Sequence, residues 1–391
     1  MQREITDDRS AAAYRRDATT WAAFGALFAF GLLNAVLGPA LPYIREVEHI
    51  SYLVGALHQV GFAVGGGVAG LLAARERHSI SRGTVIAAGL TGAGLAGLAL
   101  GYGRVPAITI AGAMLMSLLA TSALIRLWAV LADVHGARRA VAMTEGEVSV
   151  SLAGVIMPVL IGALAATALS WRFAFVLGAS TAALAALWAW RARMPPPARG
   201  RAQARSGDAG SDRRWLQPTL VVVVAIVALE FSLSFWLASY LNDDIGLPRD
   251  AAVAAVSGLY ASNLAGRLLA SRFARHTSPA RLLVAAFGIA LIGLPILLIA
   301  TDAAVAGVGI AAAGLGIGAM FPLTSALHVK ASPRHADIAL GEVLGVASIG
   351  QIVGPLAAGA IAQAAGLRIG LLILPALVLV AAGGLHRHCR R

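Results

Sequence analysis

The sequence predicts an all-α integral membrane protein with twelve transmembrane helices, arranged as two pseudo-symmetric bundles of six. Three observations support this prediction: the composition, a series of apolar segments and an internal repeat. Of the 391 residues, 58% are hydrophobic and only 13% are charged, and the mean hydropathy is +0.78. Soluble domains are about a quarter charged. A soluble core could not bury this apolar excess, so the chain belongs to the membrane class.

Apolar segments of membrane-spanning length recur along the whole chain. They are too long for transmembrane strands and do not alternate between polar and apolar residues, so they are predicted to be helices. The twelve predicted spans are Ala22–Pro42, Tyr52–Ala73, Thr84–Gly101, Ile108–Leu131, Glu145–Ala168, Phe173–Trp190, Thr219–Tyr240, Ala251–Ser271, Leu282–Ala300, Ala303–Val329, Ile338–Ala364 and Ile369–Leu385.

The basic residues predict the orientation of these spans. Of the 31 Lys and Arg residues, 24 fall in the N-terminal segment, the even-numbered gaps and the C-terminal tail, and five fall in the other gaps. The remaining two, Arg126 and Arg267, lie inside predicted helices. Cytoplasmic loops carry such an excess of Lys and Arg, so both termini are expected in the cytoplasm. The net charge of +12 therefore reflects topology, and no nucleic-acid partner is expected.

A polar segment divides the chain into halves. Residues 191–217 contain seven arginines and the Pro195–Pro197 run, a composition typical of a flexible cytoplasmic linker. The predicted organisation is a cytoplasmic N-terminal segment (1–18), an N-terminal six-helix half (19–190), the linker (191–217), a C-terminal six-helix half (218–385) and a cytoplasmic tail (386–391).

The two halves also resemble each other in sequence. The motif TSAL occurs at Thr121–Leu124 and again at Thr324–Leu327, and GEV occurs at Gly146–Val148 and Gly341–Val343. Offsets near two hundred residues recur in the same order. A parallel repeat of six helices is a sequence signature of one large class of transporters.

With these features the chain resembles the major facilitator superfamily of secondary transporters over almost its whole length. In that family the loop after helix two reads roughly G-x-L-A-D-R-x-G-R, and here residues Gly70–His78 read GLLAARERH. Ala74 replaces the acidic residue of the motif and Arg77 the second glycine. The resemblance implies two six-helix bundles that transport a solute, with the acidic role at the cytoplasmic gate filled by other residues or absent.

Carboxylates near the cytoplasmic ends of predicted helices could fill that role. Glu147 and Glu342 occupy equivalent positions in the GEV motifs, and a charge at membrane depth is costly unless paired. One hypothesis is a cytoplasmic ion-pair network that latches the halves when the cavity faces outward. The alternatives are that these glutamates only orient the helices near the headgroups, or that they carry protons directly. The candidate network comprises Arg75, Arg126, Glu145, Glu147, Arg267, Arg272 and Glu342.

Glu230 differs because it lies near the middle of the predicted seventh helix, beyond easy reach of either surface. A carboxylate at that depth is expected to face a water-filled cavity, as proton coupling requires. Asn34 lies at the corresponding depth in helix one. Trp236 and Tyr240 are four residues apart, on one face of the helix, and could form an aromatic wall for substrate. The Glu-Trp-Tyr order resembles that of sugar–proton symporters related to fucose permease. The alternative is that Glu230 is a structural residue that only bonds to a neighbouring helix.

Four further polar residues lie inside predicted helices. Each is a candidate for the substrate cavity, although an interhelical hydrogen bond is the commoner role of such a residue. They are His58, Gln59, Asn263 and Gln351.

These observations favour a monomeric secondary transporter in a bacterial cytoplasmic membrane that is driven by protons or another coupling ion. Its partners are expected to be a small-molecule substrate, the coupling ion and the lipid bilayer. No cofactor is expected: Cys389 is the only cysteine, and no nucleophile has an evident base, which argues against an enzyme. Nutrient uptake, efflux by antiport and a membrane sensor without transport remain as alternatives.

Overall fold

A computed structural model describes residues 15–75, 80–196, 218–274, 276–331 and 336–390. Its regular elements are helices, with one short 3-10 turn at Gly136–Arg138. The helices are α1 (Ala18–Asn34), α2 (Leu37–Glu48), α3 (Tyr52–Arg75), α4 (Arg82–Tyr102), α5 (Pro106–His135), α6 (Arg139–Ala165), α7 (Phe173–Arg191), α8 (Pro218–Asp243), α9 (Arg249–Phe273), α10 (Pro279–Ile299), α11 (Ala303–Ala331), α12 (Ala336–Ala365), α13 (Leu367–Gly370) and α14 (Ile373–Cys389).

These helices form the twelve predicted spans. Within the described residues, eleven segments are long and apolar enough to cross a membrane, with α1 and α2 joined as one segment and α13 and α14 as another. The remaining span is α9, which has 25 residues but is too polar to qualify. Asn263 and Arg267 lie within it. A helix can keep such residues in a membrane when they face the protein interior.

The boundaries differ from the prediction in several places, of which three change the organisation of the chain. The first span is interrupted at Ala35 and Val36, so it consists of two helices instead of one. Residues 386–389, predicted as part of a tail, form the last turn of α14 because the helix continues to Cys389. Arg191, predicted to begin the linker, is the last residue of α7. Residues 1–14 and 197–217 lie outside the described part of the chain.

The two halves lie side by side with their first helices running in the same direction. The start of α2, which continues the first span beyond α1, packs against the second half of α8, where an added Cβ at Gly38 would be 2.5 Å from the Ser234 carbonyl oxygen. The starts of α1 and α8 therefore lie at the same end of the molecule. The C-terminal part of α14 is also at that end, since Gly384 lies beside Pro218. We call it the termini end, and we call the opposite one the far end.

A matching pair of side chains ties each half together at the termini end. Thr20 on α1 has its Oγ1 2.9 Å from Nε2 of His135 on α5. In the second half, Thr219 on α8 has its Oγ1 2.7 Å from Nδ1 of His328 on α11. In both cases the pair joins the first and fourth helix of its half. The internal repeat seen in the motifs therefore extends to tertiary contacts.

The orientation in the membrane can be tested with single cysteines in a Cys389→Ser background. Because basic residues are concentrated at the termini end, we expect that end to be cytoplasmic. An impermeant thiol reagent applied to intact cells should label Thr301→Cys, in the far-end loop between α10 and α11, and should not label Ser206→Cys. The reverse labelling pattern would contradict this topology.

Candidate functional site

Three charged side chains from three helices meet between the two halves. Nη1 of Arg267 on α9 lies 3.5 Å from Oε2 of Glu147 on α6. Its Nη2 lies 3.6 Å from Oε1 of Glu230 on α8. Glu147 belongs to the N-terminal half and the other two residues to the C-terminal half. We call these residues the central triad, which has one negative charge in excess when both carboxylates are ionised.

The central triad lies deep in the bundle and is nevertheless accessible. Glu230 is near the midpoint of α8, about 18 Å from either end at 1.5 Å per residue. Its side chain is 21% exposed, that of Arg267 is 33% exposed and that of Glu147 is 50% exposed. Side chains at this depth between two packed halves are accessible only if a cavity reaches them. The triad therefore lines a cavity between the halves, where ionisable groups in a membrane protein are expected.

Neighbouring helices hold Arg267 and Glu230 in place. Nε of Arg267 donates to the Gly318 carbonyl oxygen of α11 at 3.2 Å. That contact depends on a close approach of α9 and α11, because a Cβ at Gly318 would lie 2.1 Å from the Asn263 carbonyl oxygen. Asn263 also donates from Nδ2 to Oε1 of Glu230 at 3.4 Å. Direct charge-assisted hydrogen bonds are about 2.7–2.9 Å long. Arg267 is farther than this from both carboxylates, so it is shared between them and is not bonded tightly to either.

A second set of charged residues joins the halves at the far end. Oδ2 of Asp243, at the end of α8, accepts from Nη1 of Arg45 on α2 and from the Tyr52 hydroxyl on α3, both at 2.9 Å. The Arg45 guanidinium also lies 3.8 Å from the centre of the Tyr52 ring. Arg249 at the start of α9 pairs with Glu46 of α2. We call these five residues the far-end gate, since each ion pair crosses between the halves.

Asp244, next to the far-end gate, lies just outside the apolar span of α8. Burial raises the pKa of its carboxyl, and the guanidinium of Arg368, 3.9 Å away, opposes that rise. Arg368 also donates from Nη2 to the Ala300 carbonyl oxygen at 3.1 Å, so this pair stays within the C-terminal half.

Glycines allow the halves to approach closely at the far end. An added Cβ at Gly162 of α6 would be 2.5 Å from the Asp250 carbonyl oxygen, and one at Gly359 of α12 would be 3.2 Å from that of Tyr52. Towards the termini end, a Cβ at Gly67 of α3 or Gly345 of α12 would meet nothing within 4 Å.

The helices α5 and α11, one from each half, are a second indication that the halves are apart at the termini end. In the described part of the chain they form no packed interface with each other, although both end at the termini end. The halves are therefore closed at the far end and separated at the termini end.

We predict that Gly38→Leu prevents closure of the far end. Its Cβ would overlap backbone atoms of Ser234 and Phe235, 2.5 and 3.0 Å away, and backbone cannot move aside cheaply. The measurement is the distance between spin labels at Ala168 and Thr301, one on each half at the far end. This distance should increase in Gly38→Leu and stay unchanged in the control Gly67→Leu. Equal distances in both variants would show that the Gly38 contact does not hold the far end closed.

The structure places both residues of the predicted aromatic wall in the packed interior and not at the cavity surface. Trp236 and Tyr240 are both fully buried. Nε1 of Trp236 donates to the Pro355 carbonyl oxygen of α12 at 3.0 Å. The Tyr240 hydroxyl donates to the carbonyl oxygens of Leu297 and Leu298 at 3.0 and 3.2 Å, in the last turn of α10. Carbonyl oxygens in the last turn of a helix have no hydrogen-bond partner within that helix. A buried indole or phenol also needs a hydrogen-bond partner. These bonds therefore serve the packing of α8 against its neighbours.

The other candidates for the cavity are dispersed. His58 is fully buried within the N-terminal half, where it contacts Thr109, so it does not belong to the cavity surface. Gln59 is buried as well, and its Nε2 has no hydrogen-bond partner in the described structure. Asn34 is a half-buried residue at the break between α1 and α2, and Gln351 is half-buried on α12. Of the eight predicted cavity residues, the structure joins only Glu230 and Asn263 to the triad.

Two members of the predicted cytoplasmic network contact residues of their own half. Glu145 pairs with Arg16 at 2.6 Å, within the N-terminal half. Glu342 lies 3.2 Å from Nε2 of His328 in its own half. Arg126 is half-buried on α5 and Arg272 is exposed near the end of α9, whereas the side chain of Arg75 lies outside the described part of the chain.

Glu147 and Arg267 from this set form a pair between the two halves, and they do so while the termini end is open. Their contact therefore does not require closure of the cytoplasmic side, which the latch hypothesis assumed.

Sequence reasoning missed the far-end gate entirely. In the sequence, Arg45 and Arg249 stand out only as two of the five basic residues in the sparsely charged loops. A signal was available, because each arginine has an acidic residue close to it in sequence: Glu46 follows Arg45, and Asp243 ends α8 shortly before Arg249 begins α9. Opposite charges in short loops of different halves could have indicated a cross-half contact.

Comparisons with known proteins agree with this architecture. The family model described as Major Facilitator Superfamily matches residues 23–341. No curated protein sequence matches the chain significantly. Among solved structures, a bacterial homologue of the human lysosomal transporter Spinster, in an inward-facing and occupied conformation, has a TM-score of 0.75 at 16% identity, covering 97% of this chain and 98% of that one.

Two further solved structures are similar. The nucleoside transporter NupG has a TM-score of 0.74 at 13% identity, covering 95% of this chain and 100% of that one. A D-xylose–proton symporter has a TM-score of 0.74 at 15% identity, covering 94% and 96%. At these identities the structural matches show the fold alone. Together with the family model, they confirm the predicted fold class and the family resemblance.

Proposed function

This chain belongs to the Major Facilitator Superfamily, and we propose that it is a secondary active transporter that couples the movement of a small solute to protons through the central triad. The observation that carries the proposal is the arrangement of the two halves. They are tied by ion pairs at the far end, separated at the termini end, and joined in between by charged side chains that line a cavity. This is the arrangement that alternating access requires around a central site.

The far-end gate and the central cavity supply the two elements of such a cycle. In the conformation described here, solute and protons reach the triad from the termini end. The opposite conformation requires the pairs Arg45–Asp243 and Glu46–Arg249 to separate. Because all four of these side chains are partly exposed, water can replace the broken contacts and the cost of opening stays modest.

Proton coupling rests on the position of Glu230. Its carboxyl is the member of the triad nearest the middle of the bundle, and it shares Arg267 with Glu147. A proton bound by Glu230 removes one of the two charges that hold Arg267. The guanidinium is then held by Glu147 across the halves, or released to a solute. Binding of a proton and of a solute are in this way linked through one arginine.

The proposal can be tested with the full-length protein in liposomes that contain a pH-sensitive dye. The panel should include pentoses and nucleosides, because structurally similar proteins are a D-xylose–proton symporter and a nucleoside transporter. It should also include amino acids and amphipathic cations. Proton movement that depends on both the protein and one class of solute supports the proposal. Co-movement of protons with solute indicates uptake by symport, and opposite movement indicates efflux by antiport.

Protein-free liposomes are the control for passive leakage. If a solute binds without any proton movement or solute exchange, transport coupled to protons is contradicted, and a membrane sensor becomes the better description.

A further inference from the structure

A second buried polar cluster lies in the N-terminal half near the far end, away from the central triad. Oγ1 of Thr109 on α5 is 2.9 Å from Oε1 of Glu48, the last residue of α2. The same atom is 2.9 Å from Nε2 of His58 on α3. His58 is completely buried. Oε2 of Glu48 is also buried and has no hydrogen-bond partner in the described structure.

This cluster has fewer polar hydrogens than its acceptor atoms require. Nδ1 of His58 lies 3.2 Å from the Gly55 carbonyl oxygen, so this nitrogen carries the hydrogen of a neutral imidazole and Nε2 is an acceptor. Oγ1 of Thr109 is also within 3.3 Å of two backbone carbonyl oxygens, those of Val105 and Pro106. If Glu48 is ionised, the hydroxyl has one hydrogen and is surrounded only by acceptors. Acceptors in contact without a hydrogen between them repel each other, and burial makes this costly.

One additional proton satisfies the cluster. If Glu48 holds it, the carboxyl donates to Thr109, and Thr109 donates to Nε2 of His58. If His58 holds it, Nε2 donates to Thr109, and Thr109 donates to the Glu48 carboxylate. Both arrangements contain the same number of protons and the same heavy-atom distances. We propose that Glu48, Thr109 and His58 form a proton-binding site, separate from the central triad, that holds one proton shared between Glu48 and His58.

Other charged groups around this site do not neutralise it. On α2, Arg45 is paired with Asp243 of α8, and Glu46 is paired with Arg249 of α9. The further titratable side chains of adjoining segments are His49, Tyr102 and Arg104, which are exposed, Tyr43, which is buried and stacks on Trp171, and Tyr52, which donates to Asp243. The net charge of the cluster therefore depends on whether it holds this proton.

The position of Glu48 links this proton to the far-end gate. Glu48 ends the helix that carries Arg45 and Glu46, and its bond to Thr109 fixes that end of α2 to α5. Loss of the proton leaves a buried carboxylate with an unpartnered oxygen. The free-energy cost of burying this charge falls when the residue moves towards solvent. Such a movement displaces Arg45 and Glu46 from their partners. We therefore expect the far end to open more often as the pH rises.

The first test is infrared difference spectroscopy of the full-length protein in lipid nanodiscs as the pH is raised. A proton that resides on Glu48 for part of the time gives a carboxylic-acid C=O stretch that disappears at alkaline pH. We expect this band to be missing in Glu48→Gln, while bands from Glu147 and Glu230 persist. His58→Gln should shift the pH at which the band is lost, because the proton then has one acceptor instead of two. An unchanged spectrum in both variants would overturn the proposal.

The second test uses the Ala168 and Thr301 spin labels and remains informative if Glu48→Gln does not fold. In the wild-type protein the far-end distance should lengthen as the pH rises. Thr109→Val removes the hydroxyl that joins Glu48 to His58 and should abolish or shift this dependence, whereas the matched control Thr109→Ser keeps the hydroxyl and should retain it. Identical pH profiles in the two Thr109 variants would overturn the link between this proton and the gate.

Discussion

Replacing Glu230 by Gln is expected to abolish accumulation of solute against its gradient while leaving exchange of solute across the membrane intact. An amide cannot release a proton, so the step that links the proton gradient to the solute is lost. Gln keeps an oxygen and an NH₂ group of nearly the same shape, and can therefore preserve the contacts with Asn263 and Arg267. Exchange of solute for solute does not require deprotonation, so it should continue.

The expected size of this effect follows from the gradient. A tenfold proton gradient is worth about 1.4 kcal/mol, which supports tenfold accumulation when one proton accompanies one solute. In Glu230→Gln the accumulation ratio should fall to about one. The measurement compares steady-state accumulation with counterflow in liposomes, and Glu230→Asp serves as the control because it retains an ionisable carboxyl. A Glu230→Gln variant that still accumulates solute would show that Glu230 is structural and would transfer the coupling role to Glu147 or to the Glu48–His58 site.

Replacing Arg267 by Met is expected to cause the largest loss of stability among substitutions in the cavity. The change leaves Glu147 and Glu230 without the cation that both contact. Removing one partner of a fully buried ion pair costs about 3–5 kcal/mol. Because half of the Glu147 side chain is accessible, we expect a smaller loss of about 2 kcal/mol in the free energy of unfolding.

Two comparisons separate this electrostatic effect from a simple loss of packing. Arg272→Met, five residues along the same helix, removes an exposed arginine and should leave stability nearly unchanged. Adding Glu147→Gln and Glu230→Gln to Arg267→Met removes the uncompensated charges and should restore most of the lost stability without restoring uphill transport. The readout is denaturant unfolding of the purified protein in detergent. If the triple variant is no more stable than Arg267→Met alone, the loss arises from packing, and the triad is not an electrostatic unit.

The sequence alone determined the fold class, the number of spans and the division into two halves. These properties depend on composition and on patterns along the chain, because a membrane span needs a continuous apolar segment whatever its neighbours are. Glu230 could be identified in the same way, since its distance from both ends of a helix follows from counting residues. The repeat was also visible, because the GEV and TSAL motifs retain their order and spacing.

Only the tertiary structure decided which side chains contact each other. Arg267 and Glu147 are 120 residues apart, and Arg45 and Asp243 are 198 apart, on helices of different halves. Such contacts depend on helix rotation and on how the two halves are placed, neither of which is encoded in a local pattern. The same limit applies to Trp236 and Tyr240: their spacing puts them on one face of α8, but only packing shows that they bond to α12 and α10. The far-end gate exists because the halves are closed at one end, and that is a property of the assembled conformation.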